Sequence, residues 1–221
     1  MTGTDDSPPR ARNPRMGRDE RRAQVLRIAQ DLFATEGFHH VSMDDIADRA
    51  QVSKPVLYRH FPSKLDLYLA VVDQCGADLL AAVESAVEPI EQGPVRRGDG
   101  RAVVSAVVHA YIMFVEVAGE SSALLFESDV THDADVRARV EHASFEASRR
   151  IATVLGQVTG LGPDQSATLA VSLIAMAQSA ATHRFRAAAG GDAESTADLV
   201  AELAWGGVAG LIRTDFVYED A

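Results

Sequence analysis

Between Ser42 and Lys64 the chain reads SMDDIADRAQVSKPVLYRHFPSK, and its polar chemistry concentrates there. Ser53, Lys54, Tyr58, Arg59 and His60 follow in close order, with Lys64 just beyond. None of these is acidic, although acids outnumber bases 32 to 21 over the 221 residues. Hydroxyls, ammonium and guanidinium groups and helix N-termini are the donors that bind phosphate oxygens. Tyr58 adds a rigid ring with a donor at its tip. Residues 1–64 hold 11 Lys and Arg against 9 Asp and Glu, whereas residues 65–221 hold 10 against 23. The net charge of −11 therefore hides a division, in which one end suits a polyanion and the rest is an acidic body.

Other chemistries lack their residues. No Gly-x-Ser-x-Gly, phosphate loop or dinucleotide fingerprint occurs, and Gly98-Asp99-Gly100 lacks a third glycine. Ser105 and His109 are four apart, but no acid is placed in the sequence to orient the imidazole as a triad requires. His132 with Asp133 and Asp135, and His142 with Glu146, have neither a cysteine cluster nor a His-Glu-x-x-His spacing beside them. No catalytic residue, metal or cofactor is expected, and the protein does not read as an enzyme. Cys75, the single cysteine, excludes an intrachain disulfide and reads as a small core filler. The N-terminus has no apolar signal core. The uncharged run after Asp164, up to His183, carries Gln165, Gln178 and several hydroxyls, short of the roughly 20 apolar residues of a membrane span. A cytoplasmic protein with no membrane contact is expected.

The elements that must hold the polar groups are helical throughout, and the class is all-α with about nine helices. Residues 1–17, with Pro8, Pro9 and Pro14, form a flexible basic tail. Six arginines from Arg10 to Arg22 lead into the first helix, as a solvated tail or as an arm toward DNA. That helix spans residues 18–36 and stops at Gly37. Ser42, with Asp45 three residues on, caps a second. Ser53 opens a short third that ends before Pro62. Ile46, Ala47, Ala50, Val52 and Leu57 form the small apolar seam of a helix-turn-helix. Ser63 and Asp66 cap a fourth helix with a stripe of Leu65, Tyr68, Leu69, Val72, Gly76, Leu79, Leu80 and Val83. Residues 89–100 read as a loop, and further helices follow near 100–118, 120–128, 133–159, 164–189 and 194–214.

Residues 169–181 and 199–212 are apolar on several faces and rich in small residues, including Gly206, Gly207 and Gly210. Such helices pack tightly inside one subunit or pair with their copies in a homodimer. The helix near 102–118 is apolar on nearly every side, with Ser105, His109 and Glu116 sharing one face. That face meets solvent or, if the helix is central to the body, borders a cavity lined by Tyr111, Met113, Phe114, Phe126, Phe145 and Met176, in which His109 and Glu116 orient a neutral or cationic, largely apolar molecule.

The first third of the chain resembles the DNA-binding domain of the TetR family of bacterial transcriptional regulators. The resemblance rests on Ala29-x-x-Leu32-Phe33-x-x-x-Gly37-Phe38, Ile46-Ala47, Val52-Ser53-Lys54 and Leu57-Tyr58-x-His60-Phe61-Pro62-Ser63-Lys64. It implies a three-helix DNA-binding domain at 18–64 and a larger ligand-binding and dimerisation domain at 65–221. Ser42, Tyr58, His60 and Lys64 match phosphate-binding positions. Ser53, Lys54, Pro55 and Val56 match the part of the recognition helix that faces the major groove, and Arg59 is exposed beside them. Gln51 departs from the pattern, since the family often has Gly at this turn, and a left-handed Gln costs on the order of 1 kcal/mol. The implied function is a homodimeric regulator, a repressor, that binds a palindromic double-stranded operator and leaves it when a small-molecule effector binds. The alternative is a helical ligand-binding or interaction protein that no longer reads DNA.

Overall fold

The computed structural model describes residues 17–91, 94–126, 133–187, 192–213 and 216. Arg10, Arg12, Arg15, His132 and the Gly190–Gly191 break lie outside them. Among the described residues every regular element is helical. They are α1 (Arg18–Glu36), α2 (Met43–Arg49), α3 (Lys54–His60), α4 (Lys64–Glu91), α5 (Asp99–Ala118), α6 (Ala123–Phe126, one turn), α7 (Ala134–Thr159), α8 (Pro163–Ala187) and α9 (Ala193–Val208). Short 3₁₀ turns occupy Gly119–Ser122 and Ala209–Leu211.

The helix starts follow their capping residues. The Asp45 N–H donates to Ser42 Oγ at 3.1 Å while the Ser42 N–H donates to Asp45 Oδ2 at 2.8 Å, a reciprocal box at the head of α2. Ser63 caps α4 with its side chain, the Oγ accepting from the Asp66 N–H at 3.0 Å. Asp133 and Asp192 cap α7 and α9. Pro163 stands at the start of α8, where its missing N–H has no intrahelical acceptor to lose.

Two ends differ from their sequence expectation. Helix α4 runs through Pro89 to Glu91 instead of yielding to a loop there. Pro89 cannot donate to the carbonyl of Ser85, but so close to the C-terminus the break costs little of the ladder. The last helix tightens into a 3₁₀ turn at Ala209, where the expectation carried it to 214.

Helices α1, α2 and α3 form a small head whose core is Phe33, Ile46, Ala47 and Leu57. Tyr68 of α4 completes it by standing edge-on to Phe33 at 5.2 Å and to Phe38 at 5.0 Å between ring centroids. The start of α4 thus belongs to the head's core, and its remainder packs against α5 and α7 in the body. Leu67, Val71, Cys75 and Val87 are buried beside the expected stripe, because α4 is covered from more than one side. Burial pushes the Cys75 thiol up to about 12, so it stays neutral core filling.

Helix α5 is central and packs on α4, α7, α8 and α9. Residues 99–126 are long and apolar enough to cross a membrane by length and composition, more so than the 164–183 run. Here Val103, Val104, Val107, Val108, Ile112 and Val115 are buried among neighbouring helices, as in the core of a helical bundle.

Candidate nucleic-acid interface

The turn between α2 and α3 sets the geometry of the site. The Gln51 N–H donates to the Asp48 carbonyl at 3.1 Å and the Val52 N–H to the Ala47 carbonyl at 3.0 Å. This paired arrangement is the Schellman motif, which needs a left-handed residue after the helix. Gln51 supplies it at φ 53°, alone among the described non-glycine residues. The expected departure at this turn is therefore accommodated by a left-handed Gln.

Helix α3 buries Leu57 and turns its other face outward. Ser53, Lys54, Pro55, Tyr58 and Arg59 are exposed, and Val56 and His60 flank them half-buried. Ser53 begins the helix with its carbonyl, which accepts from the Val56 and Leu57 N–H groups at 2.9 and 3.1 Å. Its hydroxyl makes no capping bond, so it stays available to an outside acceptor. Tyr58 is 46% exposed, unusual for so large a ring. These residues make one polar, acid-free ridge a single helix wide, the shape a major groove admits.

Three groups are differently engaged from the sequence expectation. Lys54 Nζ lies 2.7 Å from Asp44 Oδ2, a bond that raises the lysine above its ordinary range. Both partners are exposed, so the pair is weak and can open toward an incoming base or phosphate. The Ser42 hydroxyl donates to Asp45 Oδ2 at 2.6 Å, and its bonds hold the Asp45 carboxyl below the usual carboxylate range. Lys64 is turned inward. Its ammonium donates to the Phe38 carbonyl at 2.8 Å and the Val41 carbonyl at 3.0 Å, and it sits 4.3 Å from the centroid of the Phe38 ring. That ammonium clamps the α1–α2 connection onto α4, and it would have to leave these two carbonyls to meet the phosphate that the resemblance implies.

Sequence spacing missed how α1 extends the basic surface. Arg22 lies over the Phe61 ring at 5.1 Å. Burial and then the charges of Arg18, Arg59 and Arg22 hold His60 below its ordinary range, so these arginines lie close to the end of α3. The run of arginines was the only signal in the sequence, and only folding brings it beside His60.

The expected effector residues do not converge. Tyr111 sits in the core at 1% exposure. Met113 and Phe114 line a cavity between α1, α4 and α5, Phe126 lines one beside α8, and Phe145 lines a third between α7 and α8. Met176 is partly exposed on α8. Glu116 pairs with Arg184 of α8 at 2.8 Å, and His109 Nε2 lies 3.1 Å from Asp198 of α9. Because α5 touches several helices, apolar residues around it face different neighbours. An acid therefore does reach His109, contrary to the sequence reading. The His109 Nδ1 lies 2.8 Å from the Ser105 carbonyl and 3.3 Å from the Ser105 hydroxyl, both one turn earlier on the same helix.

On α9, Leu199 is 72% and Leu203 69% exposed, and Val171 of α8 is also open. Among the described residues, a Cβ added to Gly206, Gly207 or Gly210 would meet nothing within 4 Å. These glycines therefore do not serve close packing within the subunit, and the small-residue surface faces outward.

A family model described as bacterial regulatory proteins, tetR family, matches residues 25–71, from the middle of α1 into α4. The HTH-type transcriptional activator FasR of Mycolicibacterium smegmatis is 34% identical over 197 residues, which span 89% of this chain and 87% of that protein. The chain belongs to the TetR family. It is a DNA-binding transcriptional regulator of the helix-turn-helix type, and not an enzyme. A TetR-like transcriptional regulator from Rhodococcus sp. RHA1 superposes with a TM-score of 0.66 at 26% identity, covering 90% of this chain and 100% of that one. A structure from Pseudomonas aeruginosa PAO1 described as a transcriptional regulator gives 0.74 at 17% identity, covering 89% and 94%, and shows the shared fold. The TetR-family match spans the whole α2–turn–α3 unit, which is the part that carries the exposed polar ridge.

Proposed function

We propose that the protein is an effector-responsive regulator that binds a palindromic DNA operator as a homodimer in the cytoplasm. The acid-free outer face of α3 carries this reading. In it Ser53, Lys54, Pro55 and Val56 face the bases, with Lys54 released from Asp44. Tyr58, Arg59 and His60 hold the flanking phosphates, joined by Arg18 and Arg22, and by Ser42 once its hydroxyl leaves Asp45. The DNA-binding unit runs from residue 18 through the first turns of α4, since Tyr68 completes its core. The rest of the chain forms the effector and dimer unit.

The exposed leucines and open glycines of the α8–α9 face support the homodimer, because they gain a close neighbour when two copies pair there. Such a dimer presents two α3 helices to successive major grooves, about 34–36 Å apart. The same bound dimer represses where its operator overlaps a promoter and activates where it lies upstream. The FasR relative is named an activator, which supports activation over the repression inferred from sequence. Selection from a random DNA pool should return an inverted repeat, with affinity falling steeply as salt rises. A reporter with that repeat at its native position then reads the direction of regulation. Recovery of no sequence preference, with weak binding of all DNA, would leave the interaction-protein alternative.

A further inference from the structure

A cavity of about 590 Å³ opens where α1, α4 and α5 meet, at the junction of head and body. Met113, Phe114 and Val117 of α5 give it an apolar wall, and Asp31 of α1 and Asp78 of α4 stand among its lining residues. Among the described residues no lysine or arginine lines it. Ser121, from the 3₁₀ turn after α5, also faces it at 6% exposure. Its hydroxyl meets no hydrogen-bond partner among the described residues and is open to the cavity, so it is free to bond an occupant. The volume is that of a small-molecule site, and its combination of carboxylates, an unpaired hydroxyl and an apolar wall has a definite complement.

We propose that this cavity binds a protonated amine carried on an apolar body. The ammonium sits between Asp31 and Asp78 with Ser121 as a further acceptor, and the apolar part lies on Met113, Phe114 and Val117. The neighbouring groove between α1 and α4 shares Gln30 and Asp78 but adds Arg22 and Arg27 against one further acid, Asp19, and among the described residues it has no aromatic wall, so it suits an apolar cation less well. Because α1 carries the head and α5 belongs to the body, an occupant bridges the two. It therefore favours one head–body angle and must alter DNA affinity by its difference in affinity for the two states. That regulatory consequence rests on the DNA-binding reading above, whereas the binding itself does not.

The test is calorimetry on the full chain at about pH 7, with octylammonium, octanol and octanoate as probes of equal length and different charge. Octylammonium should bind, octanol about tenfold more weakly, and octanoate not at all. Asp31→Asn and Asp78→Asn should each weaken octylammonium about threefold and together about tenfold, leaving octanol unchanged. Ala110→Trp, which fills the cavity, should abolish both. Equal affinity for octanol and octylammonium, or an unaltered double Asn variant, overturns the site. Octylammonium should also shift affinity for the selected DNA in the wild type and not in the double variant, and an unshifted wild type overturns the coupling. If no DNA sequence is selected, the regulator reading fails while calorimetry still decides the site.

Discussion

Gln51, Lys64 and His60 each hold a position whose physics can be read in a single substitution. Gln51 is left-handed at φ 53°, a region Asn tolerates and β-branched residues avoid. Gln51→Asn should leave the melting temperature unchanged or slightly higher, and Gln51→Val should cost about 1–2 kcal/mol in thermal unfolding. Lys64 bonds two carbonyls, so Lys64→Ala should lower stability by about 2 kcal/mol. It should leave the salt slope of DNA binding unchanged, while Arg59→Ala should reduce that slope by about one. His60 has a folded pKa below its ordinary 6.5, so the unfolded chain binds the proton more readily. Its contribution to stability is full above about pH 6.5 and is lost below it, as pH falls through the lower folded pKa. A DNA phosphate beside it favours the imidazolium, so operator affinity should rise from about pH 8 to pH 6. The pH dependence should flatten in His60→Gln, and an unflattened profile would separate His60 from the phosphates.

Helix α4 connects head and body, and one glycine sets how closely it can cross α7. A Cβ at Gly76 would stand 2.7 Å from the Cβ of Ala143, a distance real methyl groups do not adopt. Gly76→Ala must therefore push the helices apart, at about 1–3 kcal/mol as in other overpacked cores. Ala143→Gly should recover most of that loss in the double variant, because the two sites share one contact. Denaturant unfolding of the four proteins closes the cycle, and simple additivity would place the clash elsewhere. The ion pair between Arg139 and Asp73 spans the same crossing at the surface. Both groups are well exposed, so packing and not charge governs the angle.

At the scale of the whole molecule, the acidic body and its exposed α8–α9 face make assembly the property most open to test. Leu199 contributes little to the isolated fold at 72% exposure, so Leu199→Asp should keep its helix content. It should nonetheless sediment as a monomer and bind the inverted repeat with shallower, non-cooperative dependence on protein concentration. Gly210→Leu adds bulk where no described residue of the subunit offers a contact, so its effect also reports the partner copy. Tight dimers from both variants would move the interface to another face.

The sequence by itself determined the helical class, the order of the elements and the head's helix-turn-helix. Those follow from local signals: capping serines with an acid three residues on, left-handed turns, and apolar periodicity. Gly37 and the Ser42–Asp45 box are legible because each acts within a few residues of itself. The outward residues of α3 were legible for the same reason, since one short helix with one buried leucine leaves little choice of face. Tertiary structure alone decided which distant groups meet. It turned Lys64 onto two carbonyls more than twenty residues earlier, set Arg22 over Phe61, brought Asp198 to His109, and scattered the expected effector residues around α5. The physical reason is that a helix buried on several sides has no single inward face. Which neighbour each side chain meets then depends on how the helices cross, and that is settled by close contacts such as Gly76 against Ala143.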